Sequence, residues 1–283
     1  MALGEGKTVA LEAVAPGAVA LLGLPFDEHS SFISGAALAP GRIRQVLHSG
    51  ETNLAAENGL DLGAEPRLCD VGDLEMAPDP DARQQIEEAV AGLLSRDARV
   101  LALGGDHAVT LPIVRAYARH YPKLNVLHLD AHPDLYDEFG GDRYSHACPF
   151  ARIMEEGLVG RLVQVGVRTM NPHQRAQAKR FGVEVVEMRH WQPGWRAAWQ
   201  GPVYLSLDLD VLDPAHAPGV SHHEPGGLST RDVIDLIAGL EAPLVGADIV
   251  EFNPERDLVG MTAMTAAKLL KEVAAAMLGA EGE

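Results

Sequence analysis

An apolar run that ends in a cluster of potential metal ligands occurs twice in this chain, and that repetition restricts the folds open to it. Asn125-Val126-Leu127-His128-Leu129 leads into Asp130, His132 and Asp134, and Val203-Tyr204-Leu205-Ser206-Leu207 leads into Asp208 and Asp210. Short apolar runs of this kind read as strands buried on both faces, and alternate side chains of an extended strand share a face. The spacing therefore predicts that each set converges on one point at the carboxyl end of its strand, where open α/β sheets place their ligands. Burying these carboxylates without a cation would be costly. The two runs are expected to form opposite walls of one metal site.

The remaining elements alternate around these two strands. Ala18 to Phe26 reads as a first strand, followed by a helix from near Pro40 that puts Ile43, Val46 and Leu47 on one face. Arg67 to Gly72 is a strand, and a helix then runs to about Arg96. Arg99 to Gly105 is a strand ending in Gly104-Gly105-Asp106-His107, where the glycines permit a sharp turn that brings His107 to the strand's carboxyl end. A helix to about Tyr121 follows. After Asp134 come a polar loop (Tyr136 to Ser145), a helix (about His146 to Glu156), a strand (Arg161 to Val167), a helix (Pro172 to Phe181) and a strand (Val183 to Val186). Trp191, Trp195 and Trp199 recur every four residues, the spacing of a helical stripe in a core or a subunit contact. The chain closes with a helix capped by Ser229 or Thr230, a strand from Leu244 to Val250 and a helix from about Gly260 to Leu278. This order predicts right-handed βαβ units in an α/β fold, a three-layer αβα domain with a mostly parallel sheet. No repeat or composition break marks a linker, so residues 1–283 are expected to form a single domain, with 1–17 as a flexible N-terminal lead.

Composition narrows the partners. With 40 acidic against 23 basic residues and a formal charge of −17, nucleic acid and anionic membrane surfaces are disfavoured, and small cationic or neutral ligands are favoured. Two cysteines, Cys69 and Cys148, make no disulfide scaffold and fit a reducing, cytoplasmic setting. The apolar run at Ala18 to Phe26 lacks the basic residues that precede a signal sequence, and no apolar run reaches the roughly 20 residues that span a bilayer.

The strand-end residues collect into His107, Asp130, His132, Asp134, Asp208 and Asp210. Four carboxylates balance two divalent ions, and oxygen-rich ligation favours a hard cation such as Mn²⁺ over a structural zinc. Two adjacent ions can share a water and lower its pKa towards neutrality, which is hydrolase chemistry. Each residue alone has a plain structural explanation, His107 as a helix cap and Asp208 or Asp210 in a salt bridge. The set of six does not.

GGDH at 104–107, DAHPD at 130–134 and SLDLDVLDPAHAPG at 206–219 resemble the three signature motifs of the ureohydrolase family, the manganese enzymes that include arginase and agmatinase. The resemblance runs from about Gly23 to Lys271 and is narrower with the plant arginase branch, through SHACPFARIMEEG at 145–157, RLVQVGVRT at 161–169, GVEVVEMR at 182–189 and GADIVEFNPERD at 246–257. It implies an arginase-like fold, a small guanidino substrate, a homo-oligomer (trimer or hexamer) and two Mn²⁺ per subunit. One ion would be held by His107, Asp130, Asp134 and Asp208, the other by His132, Asp130, Asp208 and Asp210. His146 corresponds to the family's proton-shuttling histidine and Glu251 to its guanidinium-binding carboxylate, a planar fork of donors matching a carboxylate. Asp210 would take a proton from the attacking water. The plain alternatives are a helix cap for His146 and a salt bridge to Arg256 for Glu251.

The implied reaction is L-arginine to L-ornithine and urea, with agmatine to putrescine and urea, or another guanidino acid, as the alternative. The loop 135–146 holds Asp137, Glu138 and Asp142 with Arg143 as its one cation, so Arg143, Ser145 or backbone N–H groups are the expected partners of an arginine carboxylate. That acidic loop leans towards a substrate lacking the carboxylate, the motif resemblance towards arginine. A single-zinc deacetylase, a metal-dependent phosphoesterase and a ligand-binding protein without activity are the readings from other classes. The six-ligand set, the lack of a basic cluster and the complete set of ligands weigh against each in turn.

Overall fold

The computed structural model describes residues 6–279. Eight strands, β1 (Val19–Gly23), β2 (Leu68–Asp73), β3 (Arg99–Leu103), β4 (Asn125–Leu129), β5 (Arg161–Val167), β6 (Glu184–Glu187), β7 (Val203–Asp208) and β8 (Leu244–Val250), form one sheet in the order β2-β1-β3-β8-β7-β4-β5-β6. Every neighbouring pair is parallel, where a mostly parallel sheet was expected. The helices are α1 (Ala39–Leu47), α2 (Asp81–Leu94), α3 (Thr110–His120), α4 (Pro149–Glu155), α5 (Pro172–Phe181), α6 (Thr230–Ala238) and α7 (Met261–Leu278).

Alternation along the strands supplies two cores. In β1, Val19 and Leu21 face a core built with α1, α6 and α7, while Ala20 and Leu22 face the one built with α2, α3, α4 and α5. Ile43 on α1 and Ile86 on α2 are wholly buried, one on each side. Burial of each such side chain contributes about 1.5–3 kcal/mol. Local chemistry sets the helix ends. Asn171 and Gln174 form a capping box at the start of α5, which stops at Gly182 in the left-handed region (φ 67°). Of the two candidate caps for α6, Ser229 is the one used, exchanging bonds with Asp232.

Two expected helices differ. The one placed over His146 to Glu156 begins only at Pro149, whose fixed φ suits a first helical position, so His146 stays in the preceding loop. The tryptophan stripe is not helical, because Pro193-Gly194 interrupts it. The three indoles instead lie half-buried against the α1/α6/α7 core, with the Trp191 and Trp195 rings 6.4 Å apart and the Arg161 guanidinium 4.8 Å from the Trp199 ring. Of the expected lead, residues 1–5 lie outside the described residues. Farther on, the Val9 N–H donates to the Asp70 carbonyl at 2.9 Å and Val14 is buried. Among the described residues no helix is long and apolar enough to cross a membrane.

The winding decides where chemistry can sit. After β3 the chain skips two sheet positions to lay down β4, and β7 and β8 later fill the gap. The carboxyl ends of β3, β8, β7 and β4 are thereby consecutive at the middle of one sheet edge.

Candidate metal centre

His107 follows β3 in a short 3-10 turn capped by Asp106, whose carboxylate accepts the Ala108 N–H at 3.0 Å. The two glycines before it are required by close approach and not, as expected, by a sharp turn. A Cβ on Gly105 would overlap the Phe26 carbonyl, and one on Gly104 would lie 2.6 Å from Val250 Cγ1. His107 Nδ1 sits 3.3, 3.1 and 3.2 Å from carboxylate oxygens of Asp130, Asp134 and Asp208. It is buried and has no hydrogen-bond partner.

The ring's other nitrogen explains this. His107 Nε2 is 2.9 Å from Ser206 Oγ, and Ser206 donates onward to Asp248 at 2.8 Å. Asp248, wholly buried, also accepts from Thr110 and Tyr204. An ionised carboxylate only accepts, so the serine hydroxyl donates to it and accepts from Nε2–H. The Nδ1 lone pair is left aimed at three carboxylates, the tautomer and orientation of a metal-ligating histidine.

The convergence of the other residues comes from turns, where strand alternation was expected. β4 stops at Leu129 and β7 at Asp208, so Asp130, His132, Asp134 and Asp210 all lie beyond strand ends. Asp134 takes a left-handed backbone (φ 49°), which aspartate tolerates better than most residues. Backbone donors fix one oxygen on each of three carboxylates: Asp130 accepts the His132 N–H at 2.6 Å, Asp208 the Asp210 N–H at 2.8 Å and Asp210 the Ala131 N–H at 3.1 Å. His132 Nδ1 lies 3.0 Å from Asp210 and 3.4 Å from Asp130. Among the described residues three groups of side chains meet the spacing that holds a metal ion: His107, His128, Asp130 and Asp134; Asp130, His132 and Asp210; and His146, His222 and Glu251.

Protonation within the cluster reflects the same crowding. Burial first, then Asp210 and Asp130, pushes the Asp208 carboxyl well above the usual range, and burial pushes Asp210 up to about 6. Burial also opposes ionisation of Asp130, but His128 and His107 outweigh it and hold that carboxyl well below the usual range. Carboxylates gathered around one point favour positive charge there, and a divalent cation supplies it.

Sequence reading missed the layer beneath. His128, Gln164, Ser206 and Asp248 are register partners across β5, β4, β7 and β8. Gln164 Nε2 donates to His128 Nδ1 at 3.0 Å, which leaves His128 Nε2–H to donate to Asp130 at 2.8 Å. The signal was a polar residue at the same level of each of several apolar strands. Arg168 was missed as well. Its guanidinium donates to the carbonyls of Asp210 (2.6 Å) and Glu224 (2.7 Å), tying the Asp210 turn to the loop that follows the third motif.

Above this floor opens a cleft of about 260 Å³. Glu251, just past β8, has φ 64°, an unfavourable conformation for a residue of its size. Its Oε1 accepts the His107 N–H and lies 2.8 Å from His146 Nδ1, in place of the alternative pairing with Arg256. Burial opposes charge on His146, but Glu251 outweighs it and raises the imidazole to about 9. Both residues line the cleft, with His132, Asp208 and Asp210 at its base. Arg143 does not line it. That guanidinium is half-exposed and paired with Asp137 (2.9 Å) and Glu155 (3.1 Å), so the expectation that it meets a substrate carboxylate is corrected.

Fold and site together define a metal-binding α/β protein whose centre lies at the carboxyl edge of a wholly parallel sheet. The arginase family model matches residues 17–276, and the chain belongs to that family. It is 48% identical over 288 residues to "Arginase 1, mitochondrial" of Arabidopsis thaliana, covering 96% of this chain and 84% of that one. It is 36% identical to the guanidinopropionase of Pseudomonas aeruginosa, covering 90% and 85%. Among solved structures, the arginase from Medicago truncatula superposes with a TM-score of 0.86 at 42% identity, covering 97% of this chain and 91% of that one.

Proposed function

We infer that this chain is a binuclear manganese amidinohydrolase that cleaves L-arginine to L-ornithine and urea. The observation that carries the reading is the partnerless, buried His107 Nδ1 facing three carboxylates, beside the second group of Asp130, His132 and Asp210. His107, Asp130, Asp134 and Asp208 would hold one Mn²⁺, and His132, Asp130, Asp208 and Asp210 the other. Asp130 and Asp208 would serve both. Bound there, the two ions would supply a water acidic enough to act as a nucleophile near neutral pH.

The chain's own residues do the rest. Glu251, fixed by the His107 N–H and by His146, presents a carboxylate to the guanidinium and sets its plane. Asp210, with one oxygen fixed by the Ala131 N–H, would take the proton of the attacking water. His146 supplies a proton to the departing amine, without which a primary amine leaves poorly. Glu224 is a further carboxylate lining the cleft and would take the ammonium group that arginine carries at the end away from the guanidinium.

The choice of arginine rests on identity to arginases over nearly the whole chain. One observation favours a second reading, agmatine, over arginine or another guanidino acid. Among the described residues no lysine or arginine lines the cleft, so an α-carboxylate would find no guanidinium or ammonium partner there. We assign residues 1–283 to one ureohydrolase domain that forms a homo-oligomer, trimer or hexamer, on the strength of the family resemblance. A cytoplasmic location is supported by the free, buried Cys69 and Cys148, although the Arabidopsis relative is named mitochondrial. Metal content after Mn²⁺ loading and desalting tests the reading. About two ions per chain, with urea formed from arginine, is the expected result. One ion per chain would point to a mononuclear hydrolase, and none to a binding protein.

A further inference from the structure

The proton that His146 is proposed to deliver must be replaced in every turnover, yet the imidazole is nearly shut off from water. Its side chain is only 9% exposed, and Nδ1 is engaged by Glu251. The remaining nitrogen, Nε2, lies 2.7 Å from Ser31 Oγ and 3.1 Å from the Ser31 backbone nitrogen. Ser31 itself is exposed and lines the cleft. The neighbouring Ser30 is committed elsewhere, with its hydroxyl and the His29 N–H both donating to Asp106. The same segment is pinned from the other side, since the His146 N–H donates to the His29 carbonyl at 3.2 Å. The arrangement holds one hydroxyl, free to rotate, between a buried imidazole nitrogen and the mouth of the cleft.

We propose that Ser31 is the hydroxyl through which His146 Nε2 exchanges its proton with solvent, a positioning and relay residue for the reaction inferred above. A serine hydroxyl suits the task because it donates one proton and accepts another at the same oxygen. As the Oγ–H proton passes to Nε2, Oγ takes one from a water at the cleft mouth, and the hydroxide left in solvent is neutralised by the proton that Asp210 took from the attacking water, so the hydroxyl is regenerated and nothing is oxidised or reduced. The backbone N–H of Ser31 holds Nε2 in line with the hydroxyl but cannot relay.

The inference rests on the proton role of His146, and the experiment separates the two. Ser31→Ala, Ser31→Thr and His146→Ala are assayed for urea release as manganese-loaded enzymes, each at several imidazole buffer concentrations and fixed pH and ionic strength. Ser31→Ala is expected to lower kcat about tenfold with KM little changed, and imidazole should restore its rate in proportion to concentration. Ser31→Thr should retain the parent rate and its indifference to buffer. Loss of rate in Ser31→Ala without buffer rescue would mean that the serine only holds the loop, and an unchanged rate would mean that it does nothing; either overturns the relay. Full turnover by His146→Ala would instead overturn the role of the histidine itself.

Discussion

The floor of the cleft and its mouth are both rich in charge, yet the charges are used in opposite ways. On the floor, Asp130, Asp134 and Asp208 turn towards a histidine nitrogen with no other partner, and no arginine or lysine meets them among the described residues. At the mouth, Arg143 pairs with Asp137 and Glu155, and Arg152 with the same two acids. Unsatisfied buried charge points to a ligand, whereas charge satisfied by the protein's own side chains points to loop structure. The sign and number of residues alone do not tell these apart.

The comparison is sharpest at the carboxylates expected to serve both ions. Asp208→Asn or Asp130→Asn should abolish urea release and lower metal content below two per chain, since a neutral amide cannot replace the lost charge. Elemental analysis beside the activity assay checks this. Full metal retention in an inactive variant would count against the shared-ligand role. His146→Ala tests the boundary between the two regions. It should keep both metals and lose about 10²–10⁴-fold in kcat, the usual range for a lost proton-transfer group.

A smaller effect is expected one layer down. Asp248→Asn turns one of two acceptor oxygens into a donor, so its three hydroxyl partners can no longer all be satisfied, and the order of Ser206, and through it the His107 tautomer, is weakened. Metal affinity should fall by about 10–100-fold while the fold survives. Competition with a chelator reads the change, and an unaltered affinity would show that the His107 ring is fixed without Asp248. The smallest effect belongs to the mouth. Arg143→Ala should change kcat/KM for arginine and for agmatine by less than about twofold, because its partners are the protein's own carboxylates at an exposed site. A selective loss with arginine would restore the role first assigned to it.

The cluster on the floor was legible in the sequence because its candidate ligands follow apolar runs, and few structural needs place aspartates there. All six residues converge, although turns after Leu129 and at Leu209–Val211 bring them together in place of strand alternation. The supporting layer left a fainter trace. His128, Ser206 and Asp248 each look like a stray polar residue in an apolar strand, and only the register of β4, β7 and β8 shows them to be neighbours. The mouth was illegible for a different reason. Arg143 is one cation among nearby acids in the chain, and its commitment to Glu155 depends on how α4 folds back beside the loop. The tryptophan spacing misled because a helical period survives in sequence even where Pro193-Gly194 forbids the helix.

The central claim, that this metal centre serves arginine hydrolysis, is tested most directly by urea release from the manganese-loaded protein with L-arginine, agmatine and 4-guanidinobutyrate under identical conditions. Arginine should give the highest kcat/KM. Agmatine, which keeps the ammonium facing Glu224, should come second, and 4-guanidinobutyrate, which lacks it, last. Faster release from agmatine or from 4-guanidinobutyrate than from arginine would contradict the assignment and give the centre to that substrate.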